Sequence, residues 1–522
     1  MNVFEHHSIV FYDVTVVGSG FAGSLTAAAL SRLGYRVLLV EKGRHPRFAL
    51  GESSTPVADM ILRRLADVYD LPELRPLSRY GSWQRAHPEL RCGIKRGFSY
   101  FFHEAGKAFR PDAAHSRELL VAASSSDEAS DTQWYRPHTD AFFVELAQKT
   151  GVCYRERTQI TRCDAITQAR TNGWQLRLEH ADGSETTQTA FIIDATGGPE
   201  FARRFFGAQP SEYRFKTRSR ALYSHFENVN YWQEYLVKAP GGAATADYPF
   251  HADHAALHHL LDEGWLWMLR FNDGRLSAGL MLDEHTAEPG LLAQKPDALW
   301  EAIIRKYPGL SAIFESAELA EMPGSIKLSP PLQRLQDDIA GRNWASLPHS
   351  AGFVDPLHST GIAHSLSGAE RILELFRTRK TPVAHYDEAF DTGLQTYSRF
   401  ISAEIRHIDR LISGSYITRR QPLLFQAWLS WYFAGTIRYE QARLAGDLPS
   451  NFLFAEAPQL SLLIEQSYEA LLKLKDQGFP ADSVRRFIEQ TRRDIAPYNK
   501  AGLLASESAA PNMYAHTAVQ LG

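Results

Sequence analysis

The sequence predicts an α/β fold in two lobes: a Rossmann-like dinucleotide-binding lobe, a β-sheet lobe for substrate, and a helical C-terminal part. Three observations predict it. Near the start, "YDVTVVGSGFAGSLTAAALSRLGYRVLLVEKG" (Tyr12 to Gly43) reads as strand, glycine turn, helix, strand. Two later segments, "TAFIIDATGG" (residues 189–198) and "FVDPLHSTGI" (residues 353–362), run from apolar residues into small turn-formers, as chain returning to one sheet does. From about residue 380, "DEAFDTGLQTYSRFISAEIRHIDRLI" spaces its apolar side chains by three and four, the period of a helix.

The opening unit carries the first lobe. Val14 to Val17 form a short β-branched run suited to a buried parallel strand. Gly18, Gly20 and Gly23 then give G-x-G-x-x-G. Gly18 makes the tight turn, Gly20 lets backbone approach a pyrophosphate, and Gly23 permits close helix–strand packing. Phe21 and Ala22 lie in the same turn, at a helix N-terminus whose dipole favours phosphate. The next run ends in Glu41, placed to accept ribose hydroxyls, with Lys42 beside it. The returning segments make this lobe discontinuous, residues 10–95 together with about 190–205 and 335–375. Residues 96–189 and 206–334 then build the substrate lobe, and 376–522 the helical part.

Composition narrows the class. A chain of 522 residues with 44% hydrophobic and 22% charged residues is enzyme-sized and globular. A net charge of −4 gives no nucleic-acid footprint. Cys92, Cys153 and Cys163 form no C-x-x-C pair, which favours neither zinc nor disulfides. The start "MNVFEHHSIVFYDV" lacks the basic and long apolar regions of a signal peptide, so a cytoplasmic protein is expected. "PLLFQAWLSWYFAGTI" from Pro422 is shorter than a bilayer span and carries Gln426 and Ser430; it reads as a core helix. In "HADHAALHH", His254 and His258 would share a face of a partly exposed helix, and without an H-E-x-x-H arrangement no metal is expected. "LVAASSSDEASDTQ" (residues 120–133) reads as a mobile loop.

Four segments in order, "RFALGESSTP" (Arg47 to Pro56), "CGIKRGFSYFFH" (Cys92 to His103), "DEGWLWMLRF" (Asp262 to Phe271) and "FVDPLHSTGI", resemble the flavin-dependent halogenases. That family lies within the FAD-dependent monooxygenases, and the layout is most similar to its phenol-type members. The resemblance implies FAD, used as FADH2 from a separate flavin reductase, with O2 and chloride or bromide. A flavin hydroperoxide would yield hypohalous acid, relayed by Lys95 to an electron-rich phenolic or other aromatic small molecule, free or carrier-bound. It further implies halide binding by Ser359, Thr360 and Gly361. Ser53, Arg136, Asp355 and Ile362 join the cofactor contacts, and Trp265 and Trp267 shield the substrate. On their own residues Lys95 reads as a surface lysine in "KRG", and Trp265 and Trp267 as paired rings on one face of a strand.

Two departures stand out. The family's W-x-W-x-I-P reads Trp265-Leu266-Trp267-Met268-Leu269-Arg270 here, and His358 stands where tryptophan-type enzymes carry a carboxylate. Beside the implied halide turn, His358 reads as a satisfied structural histidine first and as a candidate base toward a phenol-like substrate second. The alternatives are a flavoprotein hydroxylase, or an FAD-dependent reductase or dehydrogenase of the same superfamily.

Overall fold

The computed structural model describes residues 9–168, 171–286, 288, 290–499, 502–504 and 512–515. The chain starts with strand β1 (Val10–Val17), helix α1 (Phe21–Arg32) and strand β2 (Val37–Val40), then helix α2 (Pro56–Val68). Small residues let α1 lie close on the sheet: a Cβ on Gly23 would run into the Gly18 carbonyl, and Ala27, Ala28 and Ala29 are fully buried. Strands β3 (Cys92–Lys95), β4 (Gly97–Phe102), β5 (Glu118–Ala122) and β6 (Asp131–Trp134) follow. Helix α3 (Arg136–Lys149) leads to β7 (Cys153–Arg155) and the meander β8 (Gln159–Gln168), β9 (Thr171–His180) and β10 (Gly183–Asp194). Then come β11 (Ser219–Glu227), β12 (Ala256–Leu260), β13 (Gly264–Arg270), β14 (Leu276–Asp283) and β15 (Trp344–Ser346). Long helices close the chain: α4 (Thr360–Thr378), α5 (Glu388–Thr418), α6 (Pro422–Leu444), α7 (Pro458–Asp476) and α8 (Ala481–Ile495). A last short strand, β16 (Met513–Tyr514), pairs in parallel with β5, so the C-terminal part is not helical throughout.

Two sheets carry the two lobes. In the first, β15, β10, β1, β2 and β7 run parallel in that order, the arrangement a Rossmann-like unit requires. Strand β9 pairs antiparallel with the first half of β10, and β8 with β9. Residues 96–189 therefore divide between the sheets: β4 and β5 belong to the second, while β7 to β9 extend the first. The second sheet places β11, β14, β13, β12, β4 and β5 side by side. Strands β3 and β6 form a separate two-stranded ribbon.

Strand β13 shows how the sequence chooses its faces. Trp265, Trp267 and Leu269 enter one apolar cluster, which runs from Val14 and Val16 of β1 to Trp428 and Tyr432 of α6. Leu266 and Met268 point into a second cluster with Trp232 and Trp300. The period of two is the pleat of a strand buried on both faces.

Two local expectations change. The histidine run is no helix: His258 and His259 lie on β12, buried between β4 and β13. Pairing on both edges outweighs the helical reading of "HADHAALHH". The segment 120–133 ends in strands β5 and β6, and its turn is tied by an Arg96–Asp127 ion pair at 2.6 Å and by Ser130 donating to the Asp127 carbonyl at 2.8 Å. The stretch from Pro422 forms α6, buried along most of its length. Among the described residues, no helix is long and apolar enough to cross a membrane.

Candidate active site

The dinucleotide cradle is built where β1 meets α1. Gly18 has φ +101°, and a Cβ there would lie 2.5 Å from the Ala195 carbonyl oxygen. Only glycine fits that left-handed corner. Gly20 caps α1 in extended backbone without a side-chain cap, leaving the first-turn amides of Phe21, Ala22 and Gly23 for an anion. A Cβ on Gly20 would lie 3.6 Å from Arg136 Nη2 and 4.0 Å from Arg47 Nη2, so two guanidinium groups face this helix end. Arg136 is braced by the Asp140 carboxylate at 2.8 and 2.9 Å and by the Leu50 and Gly51 carbonyls.

Glu41 follows β2 and accepts from the Ser19 amide at 3.0 Å, Ser19 Oγ at 3.1 Å and the Gly43 amide at 2.8 Å. Burial alone would raise its pKa, but Arg47 and these donors outweigh burial and hold the carboxyl below its usual range. The anion-ready helix end, the paired guanidinium groups and the ionised carboxylate after β2 fit the pyrophosphate and ribose of FAD. Lys42 is exposed on the adjacent turn. Arg47 and its neighbour His45, whose Nε2 lies 2.8 Å from Ser19 Oγ, were not singled out in the sequence. Arg47 stood in the quoted "RFALGESSTP" without a spacing rule to mark it.

The second part of the site is the start of α4. Ser359 caps this helix with φ +51°, left-handed backbone that is strained for a serine. Its amide is already committed to the Pro356 carbonyl at 2.8 Å, so the open donors are the first-turn amides of Thr360, Gly361 and Ile362. A Cβ on Gly361 would meet nothing within 4 Å. A cavity lies against this turn, lined by Asp355, Thr360, Gly361 and His364, with Ile405 and Ile408 of α5. Asp355 itself is committed to protein partners: Ser219 Oγ at 2.7 Å, Tyr416 Oη at 2.8 Å and the Leu357 amide at 3.1 Å. Burial raises its pKa to about 6.

Lys95 completes the site from the β3–β6 ribbon. It is no surface lysine, with 0% of its side chain exposed. Its ammonium donates to the Ser54 carbonyl and lies 4.4 Å from the centre of the Phe98 ring. Burial lowers its pKa to about 8, against the opposing pull of Asp131 and Asp59. The neighbouring residue Ser53 joins the helix turn, since Ser359 Oγ donates to Ser53 Oγ at 3.1 Å. Residues 53 and 54 thus connect the lysine to the α4 turn.

Aromatic rings surround this junction. Phe98 touches Tyr100, His258, Tyr432 and Phe433; His258 stacks on Tyr100 at 4.7 Å and meets Trp265 at 5.2 Å. Trp265 Nε1 donates to Tyr416 Oη at 3.1 Å. Trp267 Nε1 donates to Ser277 Oγ at 3.2 Å, and Ser277 in turn to Glu52 at 2.6 Å. Glu52 also pairs with His225 at 2.7 Å. Glu52 and His225 escaped the sequence reading because their partners lie far along the chain. His358 packs on Tyr432 at 4.6 Å with its Nε2 3.1 Å from Ser415 Oγ; burial, and to a lesser extent His258, push its pKa down to about 3.

Comparison with known proteins places the fold. A family model described as FAD dependent oxidoreductase matches residues 13–321, and one described as tryptophan halogenase matches residues 236–420. Monodechloroaminopyrrolnitrin halogenase PrnC of Pseudomonas fluorescens is 26% identical over 491 residues, covering 89% of this chain and 80% of its own. Tetracycline 7-halogenase of Kitasatospora aureofaciens is 25% identical over 440 residues, covering 80% and 73%. Among solved structures, halogenase PltM superposes with a TM-score of 0.81 at 23% identity, over 96% of this chain and 99% of that one. With well over half of its 522 residues matched, the chain belongs to the FAD-dependent oxidoreductase family, and flavin-dependent halogenases are its relatives in sequence and in fold.

Proposed function

We propose that this enzyme halogenates an electron-rich, phenolic aromatic small molecule, with Lys95 relaying the halogen. One observation carries the reading: a fully buried lysine, ringed by aromatic side chains, is joined through Ser53 and Ser54 to a helix N-terminus with open amides. Reduced FAD with O2 supplies the oxidant that converts halide to hypohalous acid. The first-turn amides of α4 hold chloride or bromide, because a small anion is well served by converging N–H groups at a helix start. Lys95 receives hypohalous acid: its ammonium donates a hydrogen bond, or its amine takes the halogen as the oxygen–halogen bond breaks and the hydroxyl leaves as water with an amine proton. With its pKa at about 8, both forms are present near neutrality.

The rings of Phe98, Tyr100, His258 and Trp265 suit a flat aromatic substrate. His358 is held neutral and its conjugate acid is too strong to favour taking a phenol proton, so it acts as a wall with Tyr432 rather than as the base. Related proteins favour this substrate class, since PltM has been solved with phloroglucinol and FAD. A chlorinase of a pyrrole carried on a peptidyl carrier protein is also related, which makes a carrier-bound substrate the variant of this reading. A separate flavin reductase supplies the reduced cofactor, and a cytoplasmic setting provides both.

The test is an assay with purified enzyme, a flavin reductase, NADH, O2 and a phenol panel including phloroglucinol. Product mass should rise by the halogen only when chloride or bromide is present. Oxygen insertion at the same rate without halide would establish a hydroxylase instead.

A further inference from the structure

Two carboxyl groups share the buried space around Lys95, and the chemistry so far uses neither. Lys95 and Asp131 are direct partners across the antiparallel β3–β6 ribbon, so both side chains leave the same face. Asp59 arrives from the first turn of α2, where Ser54 Oγ donates to its Oδ1 at 3.0 Å. The same Ser54 offers its carbonyl to Lys95, so one residue touches both the acid and the amine. The three groups are almost dry, at 0% (Lys95), 1% (Asp59) and 4% (Asp131) exposure.

Charge decides what such a cluster must be. Two carboxylates and one ammonium would leave a net charge of −1 in a dry interior, at a cost of several kcal/mol. One proton held between the carboxyls makes the cluster neutral. The hydrogen bonding agrees: Asp131 Oδ2 has no donor among the described residues, and a protonated Asp59 is the neighbour able to supply one. Burial, then the charge of Asp131, keep Asp59 protonated far above the ordinary carboxyl range, while Lys95 opposes the effect of burial on Asp131.

We propose that Asp59 and Asp131 are a proton-sharing carboxyl pair, Asp59 carrying the proton and Asp131 the charge, that positions Lys95 and balances its ammonium. The proposal deepens the function above and rests on Lys95 as the relay. It explains how an amine with no exposure stays protonated for part of the time near neutral pH. Other titratable groups face the cluster without competing for this role. Arg63 on α2 lies outside the dry cluster, partly exposed and donating to Ser78 Oγ at 2.9 Å, and is the weakest of the influences on Asp59; His258 on β12 is held neutral by burial; Tyr432 on α6 stays protonated, its pKa raised by burial.

The test is a pH titration of Lys95 in the full-length, FAD-free protein carrying [13Cε]lysine, with the Lys95→Arg variant assigning the signal. Asp131→Asn should lower the Lys95 pKa by at least about one unit, a tenfold change in proton affinity, because the ammonium loses its counter-charge. Asp59→Asn should not lower it, because the charge on Asp131 remains and the amide can still donate to it. The pH profile of halogenation should move with the NMR value in each variant. An unmoved Lys95 pKa in Asp131→Asn overturns the proposal, whatever the variant does to stability. Should that variant fail to fold, [13Cγ]aspartate spectra of the wild-type protein decide: one carboxyl of the pair still protonated at about pH 6 supports the pair, and both ionised there overturns it. The outcome for the underlying reading is separate: a Lys95→Ala enzyme that halogenates normally would remove the relay while the spectra still report the pair.

Discussion

Lys95 acquires its chemistry from its surroundings. In "CGIKRG" it has the look of a surface residue, but β3 pairs with β6 and delivers it beneath Phe98, where burial brings its pKa to about 8. If the lysine relays halogen, Lys95→Ala should lose at least about a thousandfold in halogenation rate, roughly 4 kcal/mol of barrier. FAD binding, measured by fluorescence quenching, should stay intact because the ammonium is engaged by the Ser54 carbonyl and the Phe98 ring. Arginine should not rescue the loss, since a guanidinium remains charged and cannot offer a free amine. Gly361 gives a second test of the same site. A Cβ there meets nothing within 4 Å, so Gly361→Ala should fold with wild-type stability within about 0.5 kcal/mol. It would nonetheless crowd the open amides of α4, and the halide KM should rise several-fold with the phenol KM unchanged. An unchanged halide KM would remove this turn from halide binding.

Among the elements, the seam between α4 and α5 is held by one buried carboxylate. Glu404 on α5 accepts from Arg371 at 2.7 and 2.9 Å, faces His364 at 2.9 Å and takes the Phe452 amide at 2.6 Å. Burial opposes its ionisation, but Arg371 and the other donors overcome burial and lower its pKa to about 2. A depressed carboxyl pKa contributes stability that is complete above the unfolded value of 4.5 and is lost as pH falls towards 2. The full contribution is about 3 kcal/mol. Glu404→Gln should therefore destabilise the protein strongly at pH 7 and flatten the acid limb of its stability curve between these values, as denaturant unfolding would show. Equal acid sensitivity in the variant would exclude this anchor. This scale also shows what the sequence makes legible. The β1–α1–β2 unit and the long helix α5 follow from glycine spacing and local period, and α6 from a continuous apolar run, because each is specified by contiguous residues. Strand β12, "ALHHL", carries no β-branched residue; its extended form comes from β4 on one side and β13 on the other.

In the whole molecule, the site belongs to no single lobe. Ser53 and Ser359 are 306 positions apart and hydrogen-bonded. Lys95 comes from the ribbon, Trp265 from the second sheet, and Tyr416 and Tyr432 from the helical part. The sequence motifs name the glycine turn, the lysine, the paired tryptophans and the Ser-Thr-Gly turn, because short segments carry each of them. They could not name Arg47, Glu52, Asp59, Asp131 or Tyr416, whose roles exist only where distant segments meet. Tyr416 makes the case testable. Its hydroxyl accepts from Trp265 Nε1 at 3.1 Å and donates to Asp355 at 2.8 Å, and Asp355 also holds Ser219 of β11. One hydroxyl thus ties α5 to the second sheet and to the segment leading into α4. Tyr416→Phe keeps the ring, strands the buried Trp265 Nε1 and leaves Asp355 Oδ2 with Ser219 as its one remaining donor, which should cost about 1–3 kcal/mol. The deficit should depend on pH in a definite direction. Asp355 has a pKa raised to about 6, mainly by burial, so its favourable protonated form is present at low pH and is lost as pH rises through that value. Above it the carboxylate needs the tyrosine proton more, because a donor to the charged form offsets part of the burial cost. Denaturant unfolding of the two proteins should therefore give a larger difference well above pH 6 than well below it. Equal differences on both sides would mean that Asp355 does not ionise in that window, and that Tyr416 acts through Trp265 alone.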